Sequence, residues 1–339
     1  MKKLALILVA VTLLASLLTG CGLVEDKTIT MVWYPNESGM DVKDARDEIG
    51  KIVAQATGKT VEHKLTTDYV IAIEAIVSGQ ADLAFMGAVG YIMANTRNAK
   101  VLPLVVNSGR SGTLSDAVYY SWMIVKEGNE GQYKTGDTFS LDNIAGKRFS
   151  FVSTASTSGF VVPAAAIVNH FSAKSPWQNI KQEDVTEGGQ GKLFSAVLYG
   201  GSHQGSTFNV LSDRADIAAT CDVCIANDIE LVSGTHNQAG AVYRVRDTAP
   251  APFNTMPGAR FVLISSIPVL NAPFVVNTGT VNAKDLAALR TLFTSEEVTK
   301  NERIFIPSGS AFKGFYRQGQ RFLVVDDAWF NPIRALGGK

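Results

Sequence analysis

A run of small hydroxyl residues between two different sequence patterns is the feature most suited to chemistry. Ser153-Thr154-Ala155-Ser156-Thr157-Ser158-Gly159 follows an apolar strand-type segment, 148–152, and opens onto an alanine-rich helical pattern. The first N–H groups of a helix lack intrahelical partners, and the helix dipole places partial positive charge there. Hydroxyl groups add donors with little bulk, so the turn suits an oxyanion. It equally suits an ordinary helix N-cap, and the turn alone leaves both interpretations open.

The N-terminus carries the residues of an export signal. Lys2 and Lys3 precede an apolar run over 4–18, which ends in Leu18-Thr19-Gly20-Cys21. A basic start and a short apolar run are typical of a secretory signal. The small residues before Cys21 resemble the lipobox of bacterial lipoproteins. This resemblance implies a signal peptide over 1–20 and lipidation of the Cys21 thiol. A plain signal peptide or a short membrane anchor is the alternative.

The rest of the chain is expected outside the cytoplasmic membrane, held by a lipidated tether over residues 21–27. The whole chain carries 31 basic and 31 acidic residues, and loss of Lys2 and Lys3 leaves 29 basic ones. This balance is not that of a nucleic-acid-binding protein. An anionic ligand would therefore be held by local dipoles and not by a strongly basic surface.

Cys221 and Cys224 have the C-x-x-C spacing that suggests redox or metal chemistry. The sequence offers no second C-x-x-C and no pair of histidines close by, so we predict no metal site and no cofactor. Export permits a disulfide between the two cysteines. A local disulfide and two buried thiols both remain open.

The first third of the chain alternates strand-type and helix-type segments. Apolar residues recur at helical spacing over 41–56 before Gly58, and Asp68 can cap a second helix over 69–78. Strand-type segments lie at 28–35, 61–65, 81–87 and 101–106. This alternation predicts an α/β fold with a largely parallel sheet.

The remaining elements continue the α/β pattern. Strands are predicted at 119–125, 148–152, 260–265 and 274–277, and helices at 160–171, 191–199, 223–231 and 284–293. Pro268 and Pro273 stiffen the connection between the last two strands and remove backbone donors. A stiff connection of this kind suits a hinge between two lobes.

Two segments that are distant in the chain have similar sequences. Residues 76–84 and 210–218 share serine, alanine, aspartate and alanine at equivalent positions, and both look like a helix end, a tight turn and a strand start. We interpret them as one supersecondary unit used once in each lobe. Chance similarity between two helix–turn–strand connections, which are common, is the alternative. Only two copies at this long offset do not indicate a solenoid repeat.

Over nearly all of residues 28–336 the chain resembles the substrate-binding component of phosphate, phosphite and phosphonate ABC importers. The order and spacing of four motifs carry the resemblance. They are Ser156-Thr157-Ser158-Gly159-Phe160 with Pro163, Gly201-Ser202-His203 followed by residues 214–218, Ile267-Pro268 with Pro273, and Val325-Asp326-Asp327 with Asn331-Pro332-Ile333-Arg334.

The resemblance implies a two-lobed type II periplasmic-binding-protein fold that closes on its ligand by hinge motion. The first lobe would comprise residues 28–119 and 272–339, and the second lobe residues 120–271. The implied protein is a monomer that delivers a small oxyanion to a membrane permease and its ATPase.

The resemblance also implies which residues contact the ligand. The hydroxyls of Ser156, Thr157 and Ser158 would hold the oxyanion. Tyr34 and Tyr91 match positions of ligand-contacting aromatics, although simple partial burial would explain them equally. Further ligand contacts are implied for His203, whose alternative is a structural role, and for Asp222, which directly follows a second-lobe strand.

One departure from the family pattern bears on the ligand. Gln204 follows the motif histidine where relatives that bind aminoalkyl phosphonates tend to have glutamate. A neutral amide does not pair an ammonium group, which favours phosphate, phosphite or a simple alkyl phosphonate unless Asp222 supplies the charge.

Three other functions are alternatives to the capture of a small phospho-oxyanion. A sulfonate or larger organic phosphate would use the same turn chemistry, and a ligand-loaded partner of a membrane sensor is compatible with the same sequence. An enzyme is not expected, because no G-x-S-x-G elbow surrounds Ser156 and no histidine lies at a known spacing from it.

Overall fold

The computed structural model describes residues 27–336. The predicted signal peptide, Cys21 and all but the last residue of the tether lie outside the described residues. No helix within 27–336 is long and apolar enough to cross a membrane.

The described residues form strands and helices in alternation over most of the chain. The strands are Thr28–Trp33 (β1), Thr60–Leu65 (β2), Leu83–Phe85 (β3), Val101–Asn107 (β4), Val118–Lys126 (β5), Lys134–Thr135 (β6), Thr138–Phe139 (β7), Arg148–Phe151 (β8), Ala196–Tyr199 (β9), Ile217–Cys221 (β10), Ile229–Ser233 (β11), Val242–Val245 (β12), Arg260–Leu270 (β13), Pro273–Asn277 (β14), Phe305–Ile306 (β15), Tyr316–Arg317 (β16) and Phe322–Leu323 (β17). The helices are Lys43–Thr57 (α1), Tyr69–Ser78 (α2), Ala88–Arg97 (α3), Val162–Phe171 (α4), His203–Leu211 (α5), Asp222–Ile225 (α6), Ala283–Phe293 (α7), Glu296–Thr299 (α8) and Asn331–Arg334 (α9).

The strands build two main sheets, one for each lobe. The first has the order β17-β4-β14-β3-β1-β2, with β1 parallel to both β2 and β3 and with β14 antiparallel to β3 and β4. The second has the order β11-β12-β13-β5-β10-β8-β9, with β8 parallel to β9 and β10. Helices cover both sheets, so the predicted α/β fold with two lobes is confirmed.

Two stretches of chain cross between the sheets. The chain leaves β4 at Asn107 and enters β5 at Val118, and it returns from β13 to β14 between Leu270 and Pro273. β5 and β13 pair antiparallel from Phe261 opposite Lys126 to Leu270 opposite Val118. β13 is longer than the predicted strand over 260–265, because this pairing continues past Pro268. The two crossing strands therefore support each other as they approach the first lobe.

Helix α1 shows why the predicted helical spacing forms a helix. Ala45, Ile49, Ile52 and Val53 are buried on one face. The helix ends where Gly58 adopts a φ of 71° and donates its N–H to the carbonyl of Ala54 at 2.8 Å. A glycine tolerates this left-handed conformation without strain.

Two predicted helices are wrong. Residues 196–199 form β9, which pairs with β8 from Arg148 opposite Ala196 to Phe151 opposite Tyr199. Of the segment 223–231, only the start is helical, because α6 ends at Ile225 and β11 begins at Ile229. In both cases a neighbouring strand supplies hydrogen-bond partners that local sequence preference does not reveal.

The similar segments 76–84 and 210–218 form the same structural unit in each lobe. In the first lobe, the Asp82 carboxylate accepts the Thr30 N–H at 2.8 Å, and the Asp82 N–H donates to the Thr30 carbonyl at 2.9 Å. In the second lobe, Asp216 makes the same pair of bonds to Arg148, at 2.8 and 2.9 Å. Each aspartate thus fastens the start of its strand to the neighbouring parallel strand.

We predict that Asp82→Ala lowers the free energy of unfolding by about 1–3 kcal/mol, because it leaves the Thr30 N–H without its acceptor. Urea unfolding measures this change. The control is Asp137→Ala in an exposed turn, which is expected to stay within about 0.5 kcal/mol of the unsubstituted protein. Equal stability of the two variants would contradict the structural role of Asp82.

Candidate ligand-binding cleft

A cavity of about 770 Å³ lies between the lobes, and both lobes line it. The first lobe contributes residues at the carboxyl ends of β1 and β3, among them Tyr34 and Gly87. The second lobe contributes the hydroxyl turn after β8, the start of α5 and the start of α6. Tyr119 and Tyr120 on the crossing strand β5 complete the wall. Parallel strands place their carboxyl ends at one edge, which is where ligands of α/β folds bind.

The hydroxyl turn lies in this cavity. Ser156, Thr157 and Ser158 all line it, and all three are buried. Residues Thr157–Val161 form a wide turn of π-helix that leads into α4, and the Ser156 hydroxyl caps this turn by accepting the Gly159 N–H at 3.1 Å. The N-cap interpretation therefore holds for Ser156, and the same turn also faces the cavity.

Thr157 joins the two lobes. Its hydroxyl oxygen accepts the N–H of Val89, near the start of α3 in the first lobe, at 2.9 Å. A Cβ on Gly87 would lie 2.7 Å from Thr157 Oγ1, so only glycine permits this approach without a shift. A hydroxyl can donate one hydrogen bond while it accepts others, and the Thr157 hydroxyl also interacts with that of Tyr119.

His203 begins α5 and is buried in the cavity wall. Its backbone N–H donates to Asn36 Oδ1 of the first lobe at 3.0 Å, which is a second contact between the lobes. Burial lowers the pKa of the imidazole to about 3, so the ring is neutral near pH 7. Within 27–336 no partner contacts its buried Nδ1, which leaves this nitrogen available to a ligand.

Asp222 lines the cavity, but neighbouring groups already use its oxygens. Oδ1 accepts the N–H groups of Tyr120 and Val223, both at 2.8 Å, and Oδ2 accepts Nδ2 of Asn237 at 3.2 Å. Burial raises the pKa of this carboxyl against the effect of these donors. Asp222 therefore holds the crossing strand β5 in place beside the cavity.

The two predicted tyrosines have different positions. Tyr34 lines the cavity, and its hydroxyl is buried without a hydrogen-bond partner among the described residues. Tyr91 lies outside the cavity lining, which corrects its predicted ligand contact: its hydroxyl donates to Asp327 Oδ1 at 2.5 Å and its ring packs on Phe330. The cause is helix geometry, because Gly90 faces Tyr34 and the next residue of α3 points about 100° away.

Several cavity residues were missed by sequence analysis. Asn36 donates from Nδ2 to the Tyr69 hydroxyl at 2.6 Å, and the Tyr69 ring packs on Tyr34 at a centroid distance of 4.2 Å. Glu37 and Tyr119 are also buried in the wall. The only sequence signal was position, since Asn36 and Glu37 follow the first strand directly.

Cys221 and Cys224 form a disulfide, and Cys224 lines the cavity. The Cys221 sulfur also accepts the Cys224 N–H at 3.1 Å and so caps α6. The two sulfurs and a ring nitrogen of His203 lie within 4.8 Å of one another. Sulfurs joined to each other are not thiolates, and thiolate is the form that binds metal.

Three arginines add positive charge to the cavity wall: Arg110, Arg246 and Arg317. Arg246 forms an ion pair with Glu230 at 2.9 Å, and Arg317 donates to Asn227 Oδ1 at 3.2 Å. Burial lowers the pKa of the Arg317 guanidinium.

Two α/β lobes that share crossing strands and enclose a polar cavity define a two-lobed solute-binding protein. Over residues 31–329 the sequence matches the family described as ABC transporter, phosphonate, periplasmic substrate-binding protein, and the chain belongs to this family. The resemblance seen in the motifs is therefore confirmed, and the family is one of extracytoplasmic binding proteins for ABC importers.

Individual proteins are similar to this chain in sequence or in fold. The chain is 28% identical over 194 residues to the phosphate-import protein PhnD of Mycolicibacterium smegmatis, an alignment that spans 56% of this chain and 58% of that protein. It shares its fold with a binding protein component of an ABC phosphonate transporter from Pseudomonas aeruginosa, at a TM-score of 0.63, 19% identity, and coverage of 92% of this chain and 85% of that one. PhnD1 from Prochlorococcus marinus in complex with methylphosphonate also has a TM-score of 0.63, at 15% identity, with coverage of 92% and 97%.

We predict that Gly90→Ala destabilises the protein by about 1–3 kcal/mol, the usual effect of overpacking. A Cβ on Gly90 would overlap the Tyr34 hydroxyl and push the ring out of the cavity wall. Urea unfolding measures the loss. Gly131→Ala is the control, since no atom lies within 4 Å of its added Cβ. If Gly90→Ala were as stable as the control, Tyr34 would not occupy the described position.

Proposed function

We propose that the protein captures a small phospho-oxyanion in the cleft, closes its lobes on it and delivers it to an ABC permease. The observation that carries this proposal is the hydroxyl turn Ser156-Thr157-Ser158, which begins a helix and faces a cavity lined by both lobes. Buried polar atoms with no partner in the described chain surround the same cavity, including Tyr34 Oη, His203 Nδ1 and Tyr316 Oη. Such atoms are costly to bury unless a ligand or water satisfies them.

The proposed ligands are phosphate, phosphite and simple alkyl phosphonates. This choice is supported by two similar proteins, a phosphate-import protein and a protein whose structure is known in complex with methylphosphonate. Gln204 supplies a neutral amide whose Nε2 donates to the Cys224 carbonyl at 3.0 Å. Asp222 is occupied by three N–H donors, which argues against its pairing a ligand ammonium group.

A larger organic phosphate is the second candidate ligand, and the size of the cavity favours it; a sulfonate would use the same turn chemistry. A volume of about 770 Å³ falls in the range of sites for drug-sized ligands and exceeds the space that a lone oxyanion needs. A role as the ligand-loaded partner of a membrane sensor would use the same cleft.

The mechanism that we propose makes and breaks no covalent bond, so the protein is not an enzyme. The lobes are proposed to be residues 28–119 with 272–339, and residues 120–271. The proposed partners are a permease and its ATPase, and the proposed protein is a monomer anchored outside the membrane by lipid on Cys21.

Calorimetric titration of the chain from residue 27 tests the proposal. The panel is phosphate, phosphite, methylphosphonate, 2-aminoethylphosphonate, sulfate and taurine. We expect binding of at least one small phospho-oxyanion and weaker binding of 2-aminoethylphosphonate. Preference for taurine would favour the sulfonate alternative, and no binding at all would contradict a small oxyanion as ligand.

We predict that Ser158→Ala weakens oxyanion binding by about 1.5–3 kcal/mol, the range for a hydrogen bond to a charged group. The matched control is Ser153→Ala, which belongs to the same hydroxyl run but lies outside the cavity lining. Unchanged affinity in Ser158→Ala would mean that the turn serves only to begin the helix.

We predict that Cys21→Ala releases the protein from the membrane fraction, because the acceptor thiol for the lipid is lost. Fractionation of cells followed by immunoblotting measures the distribution. Retention of Cys21→Ala in the membrane would instead indicate an uncleaved N-terminal anchor.

A further inference from the structure

Glu37 has a buried carboxyl in the cavity wall and no role in the function proposed above. It ends the short 3₁₀ turn Pro35–Glu37 directly after β1, where its N–H donates to the Tyr34 carbonyl at 3.1 Å. Its own carbonyl accepts Nη1 of Arg46 at 2.5 Å, so the backbone is held on both sides. Its Oε2 atom is buried and contacts no hydrogen-bond donor or acceptor within the described chain.

Glu37 faces the same space as the hydroxyl turn of the opposite lobe. When ionised, Glu37 lies close enough to the hydroxyls of Tyr69 and Tyr119 for its charge to raise their pKa values. The Tyr69 hydroxyl in turn interacts with Ser156, and the Tyr119 hydroxyl interacts with Ser158 and Thr157. An oxyanion on the turn would therefore lie among hydroxyl donors with the Glu37 carboxyl on the far side.

The surroundings of Glu37 favour its neutral form. Burial raises the pKa of the carboxyl to about 8, although Asn36 and the charge of Arg46 act in the opposite direction. Burial also raises the pKa values of the four tyrosine hydroxyls on which Glu37 acts: Tyr34, Tyr69, Tyr119 and Tyr316. On the second lobe, the imidazole of His203 is neutral and the oxygens of Asp222 are held by N–H donors. The pKa of Glu37 near 8 places its titration between pH 7 and 9.

We propose that Glu37 binds the ligand as a neutral carboxyl whose O–H donates to an oxygen of the bound oxyanion. This inference rests on the proposed function. An ionised carboxylate would repel the anion in a buried cavity, whereas the neutral acid gives the orphaned Oε2 a partner. The complex then holds one proton between Glu37 and the ligand, whichever of the two oxygens carries it. Glu37 thereby selects oxyanions that accept a hydrogen bond at this position.

Affinity should therefore fall with rising pH. Below pH 8 the Glu37 carboxyl of the free protein already carries the proton, so ligand binding needs no proton uptake. Above pH 8 each complex must take up one proton, so affinity falls about tenfold per pH unit from this group alone. The titration of the ligand itself also changes the affinity with pH, and it does so equally in a variant of Glu37.

The test compares the unsubstituted protein with Glu37→Gln by calorimetry from pH 6.5 to 9.5, using phosphate and methylphosphonate. The glutamine amide donates a hydrogen bond at every pH. We expect the two affinities to agree within about threefold at pH 6.5, and Glu37→Gln to bind about tenfold more tightly at pH 9. Glu62→Gln, an exposed position outside the cavity lining, is the matched control and should follow the unsubstituted protein throughout.

Two binding results would overturn the inference while leaving the proposed function in place. One is a constant affinity ratio from pH 6.5 to 9.5. The other is a loss of more than tenfold in Glu37→Gln at pH 6.5, which would mean that a carboxylate charge is required. Failure of the unsubstituted protein to bind any ion of the panel would instead overturn the proposed function, and the ligand role of Glu37 with it.

A ligand-free measurement tests the protonation of Glu37 separately. A carboxyl whose pKa is higher in the folded than in the unfolded state loses its stabilising contribution as pH rises between those two values. Glu37→Gln has no titrating carboxyl at this position and therefore does not lose this stability as the pH rises. The Tm of Glu37→Gln minus that of the unsubstituted protein should therefore increase from pH 5 to pH 8.5. A Tm difference that stays constant would show an ionised Glu37 and would overturn the inference.

Discussion

Each lobe caps a helix of the other lobe across the cleft. Gly87, the N-cap residue of α3, has no side chain to offer, and the Thr157 hydroxyl from the second lobe accepts the Val89 N–H in its place. In return, Asn36 of the first lobe accepts the N–H of His203 at the start of α5. Both bonds use N–H groups that lack partners within their own helices, so the two lobes become mutually dependent when they meet.

This reciprocal capping determines where the ligand cavity lies. The residues that make the two caps also line the cavity, as do their neighbours Ser156, Ser158 and Glu37. The two caps hold the hydroxyl turn opposite the end of β1. In the proposed function, a ligand bound to the turn would add its own bonds to the same two surfaces, which would link ligand binding to lobe closure. In the proposed closure the lobes would move about the antiparallel pair β5 and β13, whose register shifts between Leu263 and Ser265.

The sequence was informative where a feature is local. The hydroxyl turn, the stop of α1 at Gly58 and the paired Ala-Asp segments could all be recognised, because their hydrogen bonds involve residues close in sequence or a repeated pattern. The segments 191–199 and 223–231 were misjudged, since β9 and β11 form only by pairing with a neighbouring strand: β9 with the distant β8, and β11 with β12, the next strand in the chain. Tyr91 was misplaced because its family position does not reveal which side of α3 faces the cleft. Glu37 and Tyr69 were missed because burial, and not residue type, gives them their chemistry.

The most direct test of this account is a crystal structure of the chain from residue 27 with methylphosphonate. The account predicts the phosphonate between the lobes, with oxygens within hydrogen-bonding distance of the hydroxyls of Thr157 and Ser158, and with the Val89–Thr157 and Asn36–His203 bonds intact. A phosphonate bound elsewhere, or lobes that close without those two bonds, would contradict it.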